Sequence, residues 1–210
     1  EDNTLDLGDL VSVLATVTTV DGDNDQIIDQ TSASTPLSLT ISDTDPTLSV
    51  NDDMSFGPLS VVEASGAGGK SEVTITAPTY TASAVDGQTT TIDYSLVATD
   101  GAPTGLQTTV GGHAITLDVV PGGDQINGVY TEGGVEQIAF TIKVDDATDK
   151  VSLESYVALE HSNPQGTDED NTLDLGDLVS VLATVTTVDG DNDQIIDQTS
   201  ASTPLSLTIS

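Results

Sequence analysis

The sequence predicts an all-β protein, an immunoglobulin-like antiparallel β-sandwich, and three observations carry that expectation. Apolar residues alternate with polar ones at period two in several stretches. Thr, Val, Ser and Asp dominate, and no amphipathic helix longer than two turns can be traced. Gly-rich and Asp-rich turn signals interrupt the apolar stretches at short intervals, the spacing expected of a sandwich.

Along the chain, strands are expected near 10–20, 36–42, 46–50, 58–63, 71–76, 88–98, 114–120, 127–132, 136–144, 150–160, 178–188 and 204–210. The clearest are those with strict alternation, which gives a strand one buried face. Leu37, Leu39 and Ile41 share one side of their strand. Ile92, Tyr94 and Leu96 share another, and Ile138, Phe140, Ile142 and Val144 a third. Turns are marked by Gly66-Ala67-Gly68-Gly69, Asp100-Gly101-Ala102-Pro103, Gly111-Gly112, Pro121-Gly122-Gly123-Asp124 and Gly133-Gly134.

Residues 1–42 and 169–210 are identical, an offset of 168 residues. The chain is therefore one full period plus an overlap, with 43–168 as the central β-sandwich region. Copies diverging independently would first lose their exposed Ser, Thr and Asp, so identity throughout points to a tandem array. Deliberate duplication of the segment is the alternative. The first copy is either the end of a preceding repeat or half of a split domain shared between successive repeats. Forty-two residues with a few apolar strands bury little surface alone, so both copies are expected to pack against 43–168 or each other.

Thirty-five Asp and Glu face three Lys and no Arg, for a net charge of −32. Such charge with only six aromatic residues is a profile associated with disorder, and the alternating apolar pattern argues against it. Nucleic-acid binding needs Lys and Arg to neutralise phosphates. An anionic membrane surface would repel the chain, so no direct membrane contact is expected. Zero Cys excludes a disulfide scaffold, a Cys-ligated zinc site and a thiol nucleophile.

Sixteen of the acids lie in the duplicated segments, eight in each copy. Asp21, Asp23, Asp25 and Asp29 recur as Asp189, Asp191, Asp193 and Asp197. Carboxylates at alternate positions repel one another unless a cation neutralises them, and Ca²⁺ takes about six to eight hard oxygen ligands. The spacing is not that of a helix-flanked calcium loop, because Gly stands second and no Glu follows at position twelve. A solvated acidic β-turn is the alternative. A second cluster holds Asp43, Asp45, Asp52 and Asp53, with Glu63 and Asp100 as domain-side partners in the manner of calcium-sharing linkers of cadherin-like modules. A plain polar linker is the alternative there. Asp145-Asp146-Ala147-Thr148-Asp149 reads as a hairpin turn.

Other motifs carry less. Gly66-Ala67-Gly68-Gly69-Lys70-Ser71 resembles a phosphate loop, but Ala64 replaces its first Gly and a strand pattern follows. His113 and His161 stand alone, without metal spacing. There is no Gly-x-Ser-x-Gly elbow, and no Trp to serve a glycosidase as a sugar platform. No enzymatic activity is expected.

The stretch Leu182-Ala183-Thr184-Val185-Thr186-Thr187-Val188-Asp189-Gly190-Asp191, with the long period and the absence of Cys, resembles the tandem extender repeats of bacterial RTX adhesins. That resemblance implies a type I secreted, cell-surface protein. It implies β-sandwich repeats stiffened by Ca²⁺ at their junctions, with neighbouring identical repeats as partners and a role in adhesion and biofilms. The charge fits this expectation physically: a chain that self-repels where calcium is scarce would fold where it is plentiful. A ligand-binding β module within the same adhesin, for a glycan, ice or a cell surface, is the second expectation. Thr16-Val17-Thr18-Thr19 and Thr89-Thr90-Thr91 would supply its flat face, although β-propensity explains them equally well.

Overall fold

The computed structural model describes residues 5–6, 12–23, 25–36, 40–41, 44–61, 69–160, 178–190, 194–199, 205 and 207–209. These residues are almost all strand and turn, in sheets that are antiparallel apart from one two-stranded parallel pair. The chain divides into two units, Glu1–Asp45 and Pro46–Ser210.

In the first unit, β1 (Leu5–Asp6) pairs antiparallel with β4 (Thr40–Ile41). The long strands β2 (Ser12–Val20) and β3 (Gln26–Pro36) form a hairpin. Of the expected strand 36–42, Pro36 ends β3 and Thr40–Ile41 is β4, while 37–39 and 42 lie outside the described residues.

The second unit is a sandwich of antiparallel sheets. One layer has six strands in the order β10 (Pro103–Gln107), β11 (Ala114–Val119), β12 (Gln125–Glu132), β13 (Val135–Asp145), β14 (Lys150–Ser155) and β7 (Lys70–Thr74). Facing it is the order β16 (Gln194–Thr199), β15 (Val179–Asp189) and β9 (Gln88–Ala98). Two further pairs are seen among the described residues of the unit. β5 (Thr47–Val50) runs antiparallel to β8 (Tyr80–Ser83). β17 (Leu207–Ile209) runs parallel to β6 (Leu59–Val61).

One core lies between the layers. It joins Tyr94 and Leu96 of β9 and Val179, Val181 and Ala183 of β15 to Ile115, Leu117, Ile126, Phe140, Ile142, Val151 and Leu153 of the large sheet. Buried and half-buried residues alternate along the whole of β15, which is the pattern of a strand with one face in a core. Strand β9 is fastened to the large sheet as well as to β15. The Tyr94 amide donates to Asp146 Oδ1 at 2.7 Å, and the Leu96 amide donates to the Gly123 carbonyl at 2.6 Å.

The alternation in 138–144 holds for Phe140, Ile142 and Val144 but not for Ile138, which is 44% exposed. The cause is a bulge. Gly128 pairs with Phe140, and the next residue, Val129, pairs with Ile138. Ala139 is the extra residue, and it turns inward while Ile138 turns out. The expected strand 150–160 ends at Ser155 and resumes only as a bridge between Leu159 and Thr108.

The identical segment adopts the same hairpin in both units. Val20 pairs with Gln26 as Val188 does with Gln194, and the six pairs from Ala15↔Thr31 to Val20↔Gln26 are reproduced from Ala183↔Thr199 to Val188↔Gln194. Its surroundings differ. β15 has β9 along its other edge over eleven residue pairs, from Val179↔Ala98 to Asp189↔Gln88. Among the described residues, β2 pairs only with β3. The end of the segment also changes partner, since Thr40–Ile41 pairs antiparallel with β1 whereas Leu207–Ile209 runs parallel to β6.

Candidate functional site

The acidic turn after β15 opens on Asp189, which is only 7% exposed. The turn preceding β9 packs directly against it. A Cβ built on Gly190 would stand 2.5 Å from the Asp86 carbonyl oxygen and 3.0 Å from Asp86 Oδ2. Only glycine fits there, and the fold brings the Asp86 carboxylate beside the Asp189-Gly190 turn. Asp86 is not among the acids that sequence spacing singles out. Its signal is the Asp86-Gly87 pair immediately before a strand, and only the β9–β15 register shows that the two turns meet. Asp191 and Asp193 lie outside the described residues, as do Asp43 and Glu63. Asp29 and Asp197 fall within β3 and β16 rather than in turns.

The first copy of this turn, Asp21-Gly22-Asp23, is exposed, and among the described residues nothing lies within 4 Å of a Cβ built at Gly22. Asp21 Oδ1 accepts hydrogen bonds from the Asp23 and Asp25 amides, both at 3.2 Å. The Asp21 carboxyl is held below its ordinary range, first by a side-chain hydrogen bond with Asp23 and then by the Asp25 amide. One oxygen of the set is thereby spent on closing the turn, as short Asp side chains do at reversals of the chain.

In the second cluster the acids have separate partners. Asp53 grips Thr79 with both oxygens: Oδ1 accepts from the Thr79 amide at 2.7 Å and Oδ2 from its hydroxyl at 2.6 Å. Asn51 completes the clamp, donating its amide to the Thr79 carbonyl and Nδ2 to Thr79 Oγ1, both at 2.8 Å. Asp100 Oδ1 accepts the Val119 amide at 3.1 Å. Asp45 and Asp52 are exposed. These donors are hard oxygens of the kind Ca²⁺ takes, but they are presented in ones and twos. Among the described residues no three His, Asp or Glu side chains form a group able to hold a metal.

The clamp gives a pH prediction. The hydrogen bonds from Thr79 hold the Asp53 carboxyl below its ordinary range. A lowered folded-state pKa contributes stability above the ordinary carboxylate range, which is lost as pH falls through the lowered value. Asp53→Asn is therefore expected to flatten the fall in melting temperature between about pH 5 and pH 2. Asp53 is fully exposed to solvent, so the effect is small, and circular dichroism melts across that range check it.

The acidic hairpin 145–149 joins β13 to β14. Asp145 Oδ1 caps the Ala147 amide at 3.0 Å, and Asp149 takes a left-handed conformation, φ 51°. Asp146 reaches across to the Tyr94 amide. Burial, and then the charges of Asp149 and Asp146, raise the Tyr94 phenol above its ordinary pKa. The hairpin thus ties the two layers together.

Of the remaining motifs, the one resembling a phosphate loop is followed by strand β7, so the required helix is absent. His113 stacks on Tyr130 with ring centroids 5.7 Å apart. The two line an open groove of about 330 Å³ with Thr116, Val129, Thr131 and Glu136, on β11, β12 and β13. By sequence spacing His113 stands alone, and only the fold brings it the neighbour, Tyr130, that makes the groove.

Residues 30–199 match the family described as a domain of unknown function, DUF5801. The chain belongs to the DUF5801 family. The match enters the first copy at Gln30 and leaves the second at Thr199, one residue past the equivalent Gln198, so the DUF5801 match is close to one period of this chain. No curated protein and no solved structure matches the chain.

Proposed function

We propose that this chain is a non-enzymatic, calcium-stabilised extender repeat of a large, type I secreted bacterial adhesin. It would act outside the cell, at the bacterial surface, as a spacer that projects distal ligand-binding domains. Its partners would be neighbouring identical repeats and calcium ions. The observation that carries the reading is the use of the duplicated segment. The sandwich of 46–210 takes its β15, β16 and β17 from a segment that recurs, residue for residue, one period earlier. Interchangeable units joined in series suit a spacer better than a catalyst. The cation part rests on charge: a net −32, with acidic turns such as those of Asp86 and Asp189 brought side by side.

Calcium is expected to raise the melting temperature relative to a chelator. At about 100 times Kd the gain is about 2.7 kcal/mol, or roughly 5–10 °C for a unit of this size. Calorimetry in EGTA and in millimolar CaCl₂ measures it, with ionic strength matched by NaCl, because salt alone screens self-repulsion in so acidic a chain. Equal melting temperatures in the two solutions would overturn the cation reading.

The His113–Tyr130 groove favours a second reading, a module that binds a glycan or another surface ligand within the same adhesin. Aromatic side chains with a few convergent polar groups, here Thr hydroxyls and the Glu136 carboxylate, are the usual lining of a small-ligand site. Saturable binding on a glycan array would move the assignment to that reading.

A further inference from the structure

The two copies of the segment are a matched pair inside one molecule: the sequence is the same, six hairpin pairs keep the same register, and the covering of the hairpin differs. In the second copy Val185 and Thr187 are fully buried. Their counterparts in the first copy are exposed, Val17 at 59%. Ile27 is 71% exposed, while its counterpart Ile195 is half-buried. Gly22 has open space where Gly190 has Asp86. What covers the second copy is β9 and the core beneath it, with Thr187 Oγ1 also 3.1 Å from Thr90 Oγ1.

We propose that the β2–β3 hairpin is a docking surface for a second copy of this chain, and that its occupant is strand Gln88–Ala98 of that copy. The register follows from the second copy by subtracting the offset. Val17 would face Ile92, Thr19 would face Thr90, and Asp21 would face Gln88. The hairpin already holds the required pairs, so docking needs no rearrangement of it, and a preorganised surface loses less entropy on binding. One central region takes one segment. In a tandem array each hairpin would therefore complete the sandwich of the adjoining period, and the exposed face of the first copy is the one that such a neighbour would cover. The inference deepens the spacer reading by naming the surface that joins successive units. It rests on that reading only for its setting.

Within one molecule the second copy holds the slot at a high effective concentration through its covalent link, so the test opens the slot. The chain has no Cys, which leaves disulfide trapping without background. One full-length chain carries Thr16→Cys. The other carries Asp93→Cys together with Val181→Asp and Val185→Asp, which disable its own β15, and Val17→Asp, which disables its own first copy. Thr184 pairs with Asp93 in the structure, and Thr16 is its equivalent. A chain with Thr184→Cys and Asp93→Cys is the geometric control. Under oxidation the mixture is expected to give a covalent heterodimer and to restore the melting transition of the disabled chain. Adding Val17→Asp to the donor is expected to cut heterodimer yield at least about tenfold, the effect of losing some 1.4 kcal/mol at the contact. Absence of heterodimer while the control closes would overturn the proposal. So would a disabled chain that stays unfolded in the mixture, or a yield indifferent to Val17→Asp. The readout needs no calcium, so this inference and the cation reading can fail separately.

Discussion

Val185→Asp is expected to unfold the Pro46–Ser210 unit, whereas Val17→Asp, the same change in the identical segment, is expected to stay within about 0.5 kcal/mol of the parent. Val185 is fully buried, opposite Ile92 of β9 and Asp197 of β16. A carboxylate placed there leaves water, and no Lys or Arg neighbours it in β15, β9 or β16. Added to the lost Val packing, this is expected to cost at least about 4 kcal/mol. That is a large part of the roughly 5–15 kcal/mol that holds a domain together. Val17 is 59% exposed, so its replacement removes little packing and leaves the new charge in water. Dilute samples and matched ionic strength keep association and screening out of the comparison, and circular dichroism melts of the two variants measure it. A Val17→Asp variant as unstable as Val185→Asp would mean that the first hairpin is packed in the dilute chain.

That contrast marks the boundary of what is legible in the chain. Strands with one buried face announce themselves, and β9, β14 and the end of β13 from Ile142 to Asp145 follow their alternation residue by residue. Strands specified by their neighbours do not. β3 runs through Gln-Thr-Ser-Ala-Ser-Thr-Pro, whose small polar residues carry no period, and it is held by its hairpin with β2. β10 begins at Pro103 and contains Gly105 with φ 77°, so it reads as turn, yet β11 pairs with it. The duplicated segment is the extreme case. Its hairpin is local and forms twice, but its burial is set by whether β9 lies alongside, and nothing within the segment encodes that. The same distinction governs the acids. Their positions in turns were legible, because Asp-Gly pairs are turn formers. Their partners were not: Asp53 closes on Thr79, Asp100 on Val119 and Asp146 on Tyr94, all across strands. A carboxylate that looks like a cation ligand by spacing can be committed to an amide by the fold.

The core of the sandwich gives the second large effect, and its two halves should not add. Phe140 is fully buried and lies opposite Gly128 beside the β13 bulge. Its ring lies over the glycine so closely that a Cβ built at Gly128 would overlap it. The missing side chain is thus the seat of the ring, and Gly128 tolerates its cost within a strand because the aromatic covers the exposed backbone. Phe140→Ala removes the largest side chain of the fully buried set and leaves a cavity between two sheets that are each fixed by their own ladders. A loss of about 3–5 kcal/mol is expected. Gly128→Ala forces the ring off its seat and is expected to cost about 1–3 kcal/mol by overpacking. In the double variant the added methyl enters the space the ring has left. The Gly128→Ala penalty should then fall well below its value in the parent, with a coupling of about 1 kcal/mol or more. Denaturant unfolding of the four chains measures the cycle. Strict additivity would mean that the ring and the glycine do not share one space, and that the bulge, rather than the Phe140–Gly128 contact, sets the geometry at this point of the sheet.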